Sequence, residues 1–209
     1  KVTRLASYLR YCSIQKGDRV LICSENRSEW AISDLAIMAI GAIAVPAYTT
    51  NTVGDHHFIL EHAEVSLILC SGGRIAERLS AAAAYHTEQK IPLPIICFDT
   101  PEAGMLSFDA CLGAENALTQ EISYKPDASD IACIIYTSGT GGRPKGVMLT
   151  HASIQANIDA ALDLVREGRA DKNAVFLSLL PLSHSYEHTG GMHLPLQIGA
   201  EIWYCSSPD

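Results

Sequence analysis

Short apolar runs and segments of helical period alternate along the chain, and this alternation predicts its secondary structure. Runs rich in Val, Ile and Leu predict strands at residues 19–24, 42–48, 65–71, 94–99, 131–137, 146–151, 174–183 and 201–205. Apolar residues at helical spacing predict helices at residues 2–12, 26–41, 55–63, 74–86, 107–114, 154–165 and 190–198. Because near-continuous apolar strands alternate with helices, we expect an α/β fold: a layered α/β/α arrangement around a mainly parallel sheet.

Local patterns refine this prediction. Asn26 begins a pattern typical of a capping box, which would open a helix that ends at Gly41. The apolar stretch 35–47 is interrupted by a glycine and a proline, so it predicts a buried helix followed by a strand and not a membrane span. The segment 99–130 is richer in Pro, Asp, Glu and Gly, and it marks a soft boundary within one domain that spans residues 1–209.

Composition and charge exclude several classes of partner. Of the 209 residues, 48% are hydrophobic and 18% are charged, which is typical of a globular protein. The net charge of −8 gives no general attraction for nucleic acid, so we expect no nucleic-acid partner and at most peripheral contact with a membrane. An anionic ligand must therefore be held by local groups.

The cysteines and the first residue bear on the setting of the protein. The seven cysteines form no C-x-x-C pair and lie mostly in apolar runs, which predicts buried thiols in a reducing, cytoplasmic environment. The chain begins at Lys1 with a helix already under way, so we interpret it as part of a longer protein.

Residues 136–146, YTSGTGGRPKG, are the main candidate for chemistry. The P-loop pattern fails here because Pro144 precedes Lys145, and the G-x-G-x-x-G pattern fails because the same proline replaces the last glycine. The glycines nevertheless allow backbone N–H groups to approach an anion, and the hydroxyls and cations add donors and positive charge. From these residues alone, a phosphate cradle and a solvated hairpin loop both stay open.

A longer match favours the cradle. The stretch YTSGTGGRPKGVMLTH (136–151) resembles the signature loop of the adenylate-forming superfamily, which includes acyl-CoA synthetases, peptide-synthetase adenylation domains and firefly-type luciferases. Gly141 stands where that family usually has a second threonine, which removes one hydroxyl from the loop. The stretch SLLPLSHSYEHTGG (178–191) resembles the next family motif, with His184 beside the carboxylate substrate, and its sequence is similar to the long-chain fatty acyl-CoA branch.

This resemblance implies an AMP-forming acyl-CoA synthetase (a fatty acid–CoA ligase) of which the chain is a truncated N-terminal AMP-binding domain. In such enzymes the carboxylate attacks the α-phosphate of ATP, which gives an acyl-adenylate and pyrophosphate, and the thiol of coenzyme A then displaces AMP. The resemblance assigns catalytic roles to Lys145 and His184, and a place near Mg²⁺ to Thr137. It assigns contacts with ATP to Thr137, Ser138, Gly139, Thr140, Gly141, Gly142 and Lys145. The family's adenine, ribose and hinge segments and its C-terminal catalytic lysine have no counterpart here, so we expect the chain alone to be inactive.

Other hypotheses stay open. The carboxylate could be an aryl or amino acid, or the chain could be a nucleotide-binding module without catalysis. Residues 184–188 also fit the zinc motif H-x-x-E-H, with His193 as a possible further ligand, but their position after a strand and a proline favours a chance match. We interpret the histidines at 56, 57 and 62 as surface or capping residues.

Overall fold

The computed structural model describes residues 1–85, 92–117, 122, 124–137, 144–167 and 173–205. The strands are β1 (Arg19–Cys23), β2 (Ile43–Pro46), β3 (Val65–Cys70), β4 (Ile95–Cys97), β5 (Leu106–Ser107), β6 (Ile131–Thr137), β7 (Lys145–Thr150), β8 (Val175–Ser178) and β9 (Glu201–Tyr204). The α-helices are α1 (Val2–Tyr11), α2 (Ser28–Ala39), α3 (Val53–His62), α4 (Arg74–Tyr85), α5 (Phe108–Gly113), α6 (His151–Glu167) and α7 (Leu194–Ile198). A 3₁₀ turn, Glu115–Ala117, follows α5, and a π-helical segment, Glu187–His193, precedes α7.

The main sheet has seven strands in the order β5-β4-β3-β1-β2-β6-β7. All neighbours from β5 to β6 are parallel, and β7 is antiparallel to β6. The predicted mainly parallel sheet is therefore confirmed. The antiparallel strand lies at one edge, where a short loop joins it to β6.

Alternate residues of the central strand enter two separate apolar cores. Val20 and Ile22 of β1 join the core beneath α1, α2 and α6, whereas Leu21 and Cys23 join the core beneath α3 and α4. Both faces of the sheet are therefore covered by helices, as continuous apolar strands require. This arrangement confirms the predicted α/β/α layers.

The last two strands form a separate parallel sheet, which the sequence did not predict. β8 ends at Ser178, five residues before the predicted end of the strand at 183. The reason is that the Leu180 carbonyl and the Leu182 amide bond to the side chain of Asn26 and not to a neighbouring strand.

The predicted cap at Asn26 is wrong. Helix α2 begins at Ser28, and its N-cap residue, Arg27, makes no side-chain cap bond. Asn26 lies just before the helix, and its side chain is used in the contacts with the segment after β8. A capping box is instead present at α3, where Thr52 Oγ1 accepts from the Asp55 amide and the Asp55 carboxylate accepts from the Thr52 amide.

In the described parts of the chain, no helix is both long and apolar enough to cross a bilayer. Burial is confirmed for five of the seven cysteines, which are Cys23, Cys70, Cys97, Cys111 and Cys133.

Candidate active site

The predicted phosphate loop joins the ends of β6 and β7. Thr137, the last residue of β6, is paired with Lys145, the first residue of β7, and both are exposed. Residues directly opposite in an antiparallel pair project to the same face, so the hydroxyl and the ammonium group lie on one side of the hairpin. Ser138, Gly139, Thr140, Gly141 and Gly142 lie outside the described residues, and their contacts with ATP stay predictions.

Gly146 allows the two strands of this hairpin to pack closely. It pairs with Tyr136, and a Cβ at position 146 would lie 2.8 Å from Ile134 Cγ2 and 3.3 Å from Tyr136 Cζ. Real Cβ atoms almost never approach another atom so closely. The glycine after Lys145 is therefore needed for strand packing, whatever the loop binds.

Helix α3 anchors the end of β6 through a cluster of rings. The Tyr136 hydroxyl lies 2.8 Å from Nδ1 of His62, and the Phe58 ring stacks on His62 at 5.2 Å between centroids and meets Tyr136 edge-on. The tyrosine side chain is buried, and this burial raises the pKa of Tyr136. The position of Thr137 is thus fixed by packing on the preceding residue.

The interpretation of the α3 histidines as surface residues is wrong for His56. Its side chain is fully buried, and neither ring nitrogen has a hydrogen-bond partner among the described residues. Burial lowers the pKa of His56 to about 4, so the ring is neutral at pH 7. His62 belongs to the ring cluster, and His57 lies 3.5 Å from Glu61 on the same helix.

A cleft of about 500 Å³ brings the two predicted motifs together. Thr137 and Pro144 line it from the hairpin, His184 lines it from the later motif, and Tyr48 and Asn51 complete it from the segment after β2. Lys145 is exposed next to Pro144 but is not among the residues that line this cleft. The structure therefore places Thr137 and His184 at one cleft, with Lys145 at its edge.

The exposed His184 ring has a defined orientation. The Tyr186 backbone N–H donates to His184 Nδ1 at 3.2 Å. A neutral imidazole carries one proton, so a ring that accepts at Nδ1 carries its proton at Nε2. His184 can then donate a hydrogen bond from Nε2 to an anionic oxygen in the cleft.

Asn26 holds the segment that leads to His184, and sequence reasoning missed this role. Its Nδ2 donates to Ser178 Oγ at 3.1 Å and to the Leu180 carbonyl at 2.7 Å, and its Oδ1 accepts from the Leu182 amide at 2.9 Å. These three bonds satisfy most of what a buried amide needs. The partners lie 152 to 156 residues away in sequence, so no local pattern could have indicated them.

Behind the His184 segment lies a buried polar cluster. His188 Nε2 is 3.1 Å and His193 Nε2 is 3.3 Å from Asp34 Oδ2, and the Asp34 and His188 side chains are fully buried. Burial alone would raise the pKa of Asp34, but the two histidines outweigh it and hold this pKa below its usual range. Within the described parts of the chain, the potential metal-binding group is Asp34 with His188 and His193, so the structure does not assemble the H-x-x-E-H set with His184 and Glu187.

The family model described as AMP-binding enzyme matches residues 1–209. The chain belongs to the AMP-binding enzyme family. One relative in this family, fatty acyl-CoA synthetase A of Dictyostelium discoideum, is 32% identical over 99% of this chain and 31% of its own length. Another, peroxisomal long chain acyl-CoA synthetase 6 of Arabidopsis thaliana, is 33% identical over 88% of this chain and 27% of its own length. The chain thus spans under a third of these relatives.

Solved structures share the fold of this AMP-binding chain. ATP-bound MatB from Rhodopseudomonas palustris superposes with a TM-score of 0.79 at 24% identity, over 100% of this chain and 39% of that one. A benzoate CoA ligase from Burkholderia xenovorans LB400 gives a TM-score of 0.81 at 21% identity, over 99% of this chain and 38% of that one. At these identities the likeness establishes the layered fold.

Proposed function

We propose that the protein containing this chain is an AMP-forming long-chain fatty acid–CoA ligase. The observation that carries the proposal is the meeting of the signature hairpin and the His184 motif in one cleft. Family membership supports carboxylate adenylation, and the names of the relatives favour a fatty acid over an aryl or amino acid.

The hairpin would act on the phosphates of ATP. In adenylation, two anions approach each other and pyrophosphate leaves, so positioning and charge neutralisation dominate catalysis. Lys145 supplies a mobile positive charge and Thr137 a hydroxyl on the same face of the hairpin. In a chain of net charge −8, such local groups have to do the neutralising.

His184 would act on the carboxylate. Its Nε2–H can donate to a carboxylate oxygen, orient it for attack on the α-phosphate and remain bonded to the acyl-adenylate. Asn26 would be a positioning residue, because it fixes the segment from Ser178 to Leu182 just before this histidine.

The cleft fits Mg²⁺ in part. Thr137 offers one hydroxyl oxygen, a ligand type that Mg²⁺ accepts. Asp55 also lines the cleft, but its carboxylate accepts from the Thr52 amide at 2.9 Å and from the Thr52 hydroxyl at 2.7 Å, so the α3 cap already uses it. Bound Mg²⁺ would neutralise phosphate charge, with its other ligands coming from phosphate, water and parts of the protein outside this chain.

The second step would use coenzyme A. The CoA thiol attacks the acyl carbonyl of the adenylate, forms the thioester and releases AMP. Groups outside this chain would bind CoA, which is why we expect the chain alone to be inactive.

The cellular location is a separate part of the proposal. The buried thiols support a reducing compartment, and we propose that the protein is cytosolic. Cell fractionation distinguishes this from a peroxisomal location.

The test is a pyrophosphate-release assay on the full-length protein with ATP, Mg²⁺ and a panel of carboxylates. We expect release with a long-chain fatty acid, and acyl-CoA once CoA is added. Release with benzoate or an amino acid instead would point to another adenylating enzyme. ATP binding without release for any carboxylate would support a nucleotide-binding module.

The His184→Ala substitution tests the role of the ring. Loss of a hydrogen bond to a charged group costs about 1.5–3 kcal/mol, so kcat/KM for the carboxylate should fall about 10–100-fold. The affinity for ATP should change little. If the variant loses affinity for ATP but keeps its kcat/KM for the carboxylate, His184 acts on ATP and the proposed role is wrong.

A further inference from the structure

The cluster of Asp34, His188 and His193 has the composition of a metal site and plays no part in the proposed reaction. Two imidazoles and one carboxylate are ligands that Zn²⁺ and related ions prefer. These ligand atoms all lie within 4.8 Å of one another. The cluster lies on α2 and on the π-helical segment, behind the part of the chain that carries His184.

The π-helical segment brings the two histidines together. Residues five apart lie about 140° apart around an α-helix, which has about 3.6 residues per turn. In a π-helix the backbone hydrogen bonds run from i to i+5, so His188 and His193 lie about one turn apart on the same face. Their ring centroids are 4.7 Å apart, and both rings approach Asp34. Such π-helical turns occur frequently at functional sites.

Two of the three separations between the ligand atoms match the edges of a coordination tetrahedron. With Zn–N bonds of about 2.0–2.1 Å, tetrahedral ligand atoms lie about 3.3 Å apart. The separations between Asp34 Oδ2 and the two Nε2 atoms are 3.1 Å and 3.3 Å. An ion could therefore bind between these atoms with small shifts of the side chains.

One of the three ligand atoms has no hydrogen-bond partner in the part of the chain that the structure describes, whereas the other two, Asp34 Oδ2 and His188 Nε2, are bonded to each other. Asp34 Oδ1, His188 Nδ1 and His193 Nε2 are buried and have no hydrogen-bond partner among the described residues. His193 Nε2 is close to the carboxylate but lacks the geometry of a hydrogen bond to it. Buried polar groups without partners are costly, and a cation bound by Asp34 Oδ2 and the two Nε2 atoms would give His193 Nε2 a partner.

The surroundings allow a rigid site with one open side. The Trp30 ring meets His188 edge-on at 5.6 Å between centroids and limits its rotation. His193 is 11% exposed and lines a groove of about 950 Å³ that also contains His151. This groove reaches the edge of the cluster at His193 and would be the entry path for an ion.

We propose that Asp34, His188 and His193 bind one divalent transition-metal ion, with Zn²⁺ as the best match. The bound ion ties α2 to the π-helical segment and so braces the motif that carries His184. The site is independent of ATP and of the carboxylate, and its failure would leave the proposed ligase function unaffected.

The test uses full-length protein without a polyhistidine tag, stripped with a chelator and titrated with Zn²⁺ or Co²⁺. We expect one metal per chain by elemental analysis after desalting, and visible absorption from Co²⁺ in a tetrahedral site. The His193→Ala variant, at the partly exposed edge of the cluster, should keep its fold by circular dichroism and lose affinity about tenfold or more. The His188→Ala variant should likewise lose affinity for the metal about tenfold or more.

His57→Gln is the matched control, since this histidine lies on α3 in the opposite helical layer and should leave metal binding unchanged. Substoichiometric metal in the parent protein would overturn the proposal and leave Asp34 hydrogen-bonded to His188, with His193 close to the same carboxylate. Equal metal retention by the parent and both cluster variants would overturn it as well.

Discussion

The two walls of the cleft are held by different kinds of contact. The hairpin wall rests on a strand ladder, on the ring cluster around Tyr136 and on the close packing at Gly146. The His184 wall rests on buried polar groups, namely the three bonds of Asn26 and the Asp34 cluster. Apolar packing is shared among many atoms, whereas each buried hydrogen bond depends on one partner. A single substitution should therefore destabilise the His184 wall (the polar wall) more than the hairpin wall (the apolar wall). Side chains that contact substrate are an exception, because their loss acts on the reaction directly.

Lys145 gives the largest expected effect, because it is the hairpin group proposed to contact phosphate. The Lys145→Ala variant should lose about 10²–10³-fold in kcat/KM for ATP-dependent pyrophosphate release, the usual loss when a charge-stabilising donor is removed. Pyrophosphate release by the full-length variant is the measurement. Lys125→Ala, at another exposed lysine, is the control and should behave as the parent. Equal activity of the Lys145 variant and the parent would show that the hairpin does not contribute the catalytic charge.

Asn26 tests the polar wall. The Asn26→Ala substitution removes three hydrogen bonds and leaves the Leu182 amide without its partner, so we expect a loss of about 2–4 kcal/mol in unfolding free energy. Urea denaturation measures this loss. The kcat/KM for the carboxylate should also fall, because the segment that Asn26 holds leads directly to His184.

Asn157→Ala is the control for this variant. The Asn157 side chain is exposed and donates to the Ser153 carbonyl within α6, so its loss should cost under about 0.5 kcal/mol. If both asparagine variants had the same stability, the contrast between the two walls would be wrong.

The sequence predicted the elements of the fold far better than the contacts between them. The β6 strand has the predicted bounds, because a continuous apolar run is visible locally. The failures involve partners that are distant in sequence. The capping prediction for Asn26 was wrong because its side chain bonds instead to the segment from Ser178 to Leu182. The prediction that His56 is a surface residue was wrong because its burial depends on how α3 packs on the sheet.

His56 offers a pH test of the hairpin wall, since it lies on the helix that anchors Tyr136. Burial lowers the pKa of His56 to about 4 from the ordinary value of 6.5. The unfolded chain therefore binds a proton between these values that the folded chain does not. Its stabilising contribution is complete above about pH 6.5 and is lost as the pH falls towards 4, by at most about 3 kcal/mol.

Urea midpoints measured between pH 7 and pH 4 check this prediction. A His56→Leu variant has no titrating group at this position and should show a correspondingly flatter pH dependence. A direct measurement of the His56 pKa by NMR above 6 would contradict the assignment.

Gly146 gives the smallest expected effect, although it tests the apolar wall most directly. The Gly146→Ala substitution places a methyl group against Ile134 and Tyr136 and should destabilise the protein by about 1–3 kcal/mol. Gly113→Ala is the matched control, because a Cβ there meets no atom within 4 Å. Thermal unfolding of the two variants compares them. A loss no greater than that of the control would show that the hairpin strands separate easily.

The candidate site was predictable to the extent that motifs define it. Thr137 and His184 come from the two motifs that resemble one family, and the cleft contains both; their roles stay predictions. The orientation of the His184 ring depends on the Tyr186 amide, and the convergence of His188 and His193 depends on a π-helical turn. Neither leaves a pattern in the sequence, because each is decided by backbone geometry that several sequences can adopt.

The contacts of Asn26 also limit how this protein can be engineered. Suppose that residues 174–205 are exchanged for those of a relative in order to change the proposed substrate. The exchange would replace the hydrogen-bond partners of Asn26, whereas Asn26 itself, which lies between β1 and α2, would stay the same. Such chimeras should be designed as pairs, with position 26 and its partners taken from the same parent. In a library that varies residues 174–205 alone, most variants would be lost because they no longer bond to Asn26, before any change in the proposed carboxylate substrate could be detected.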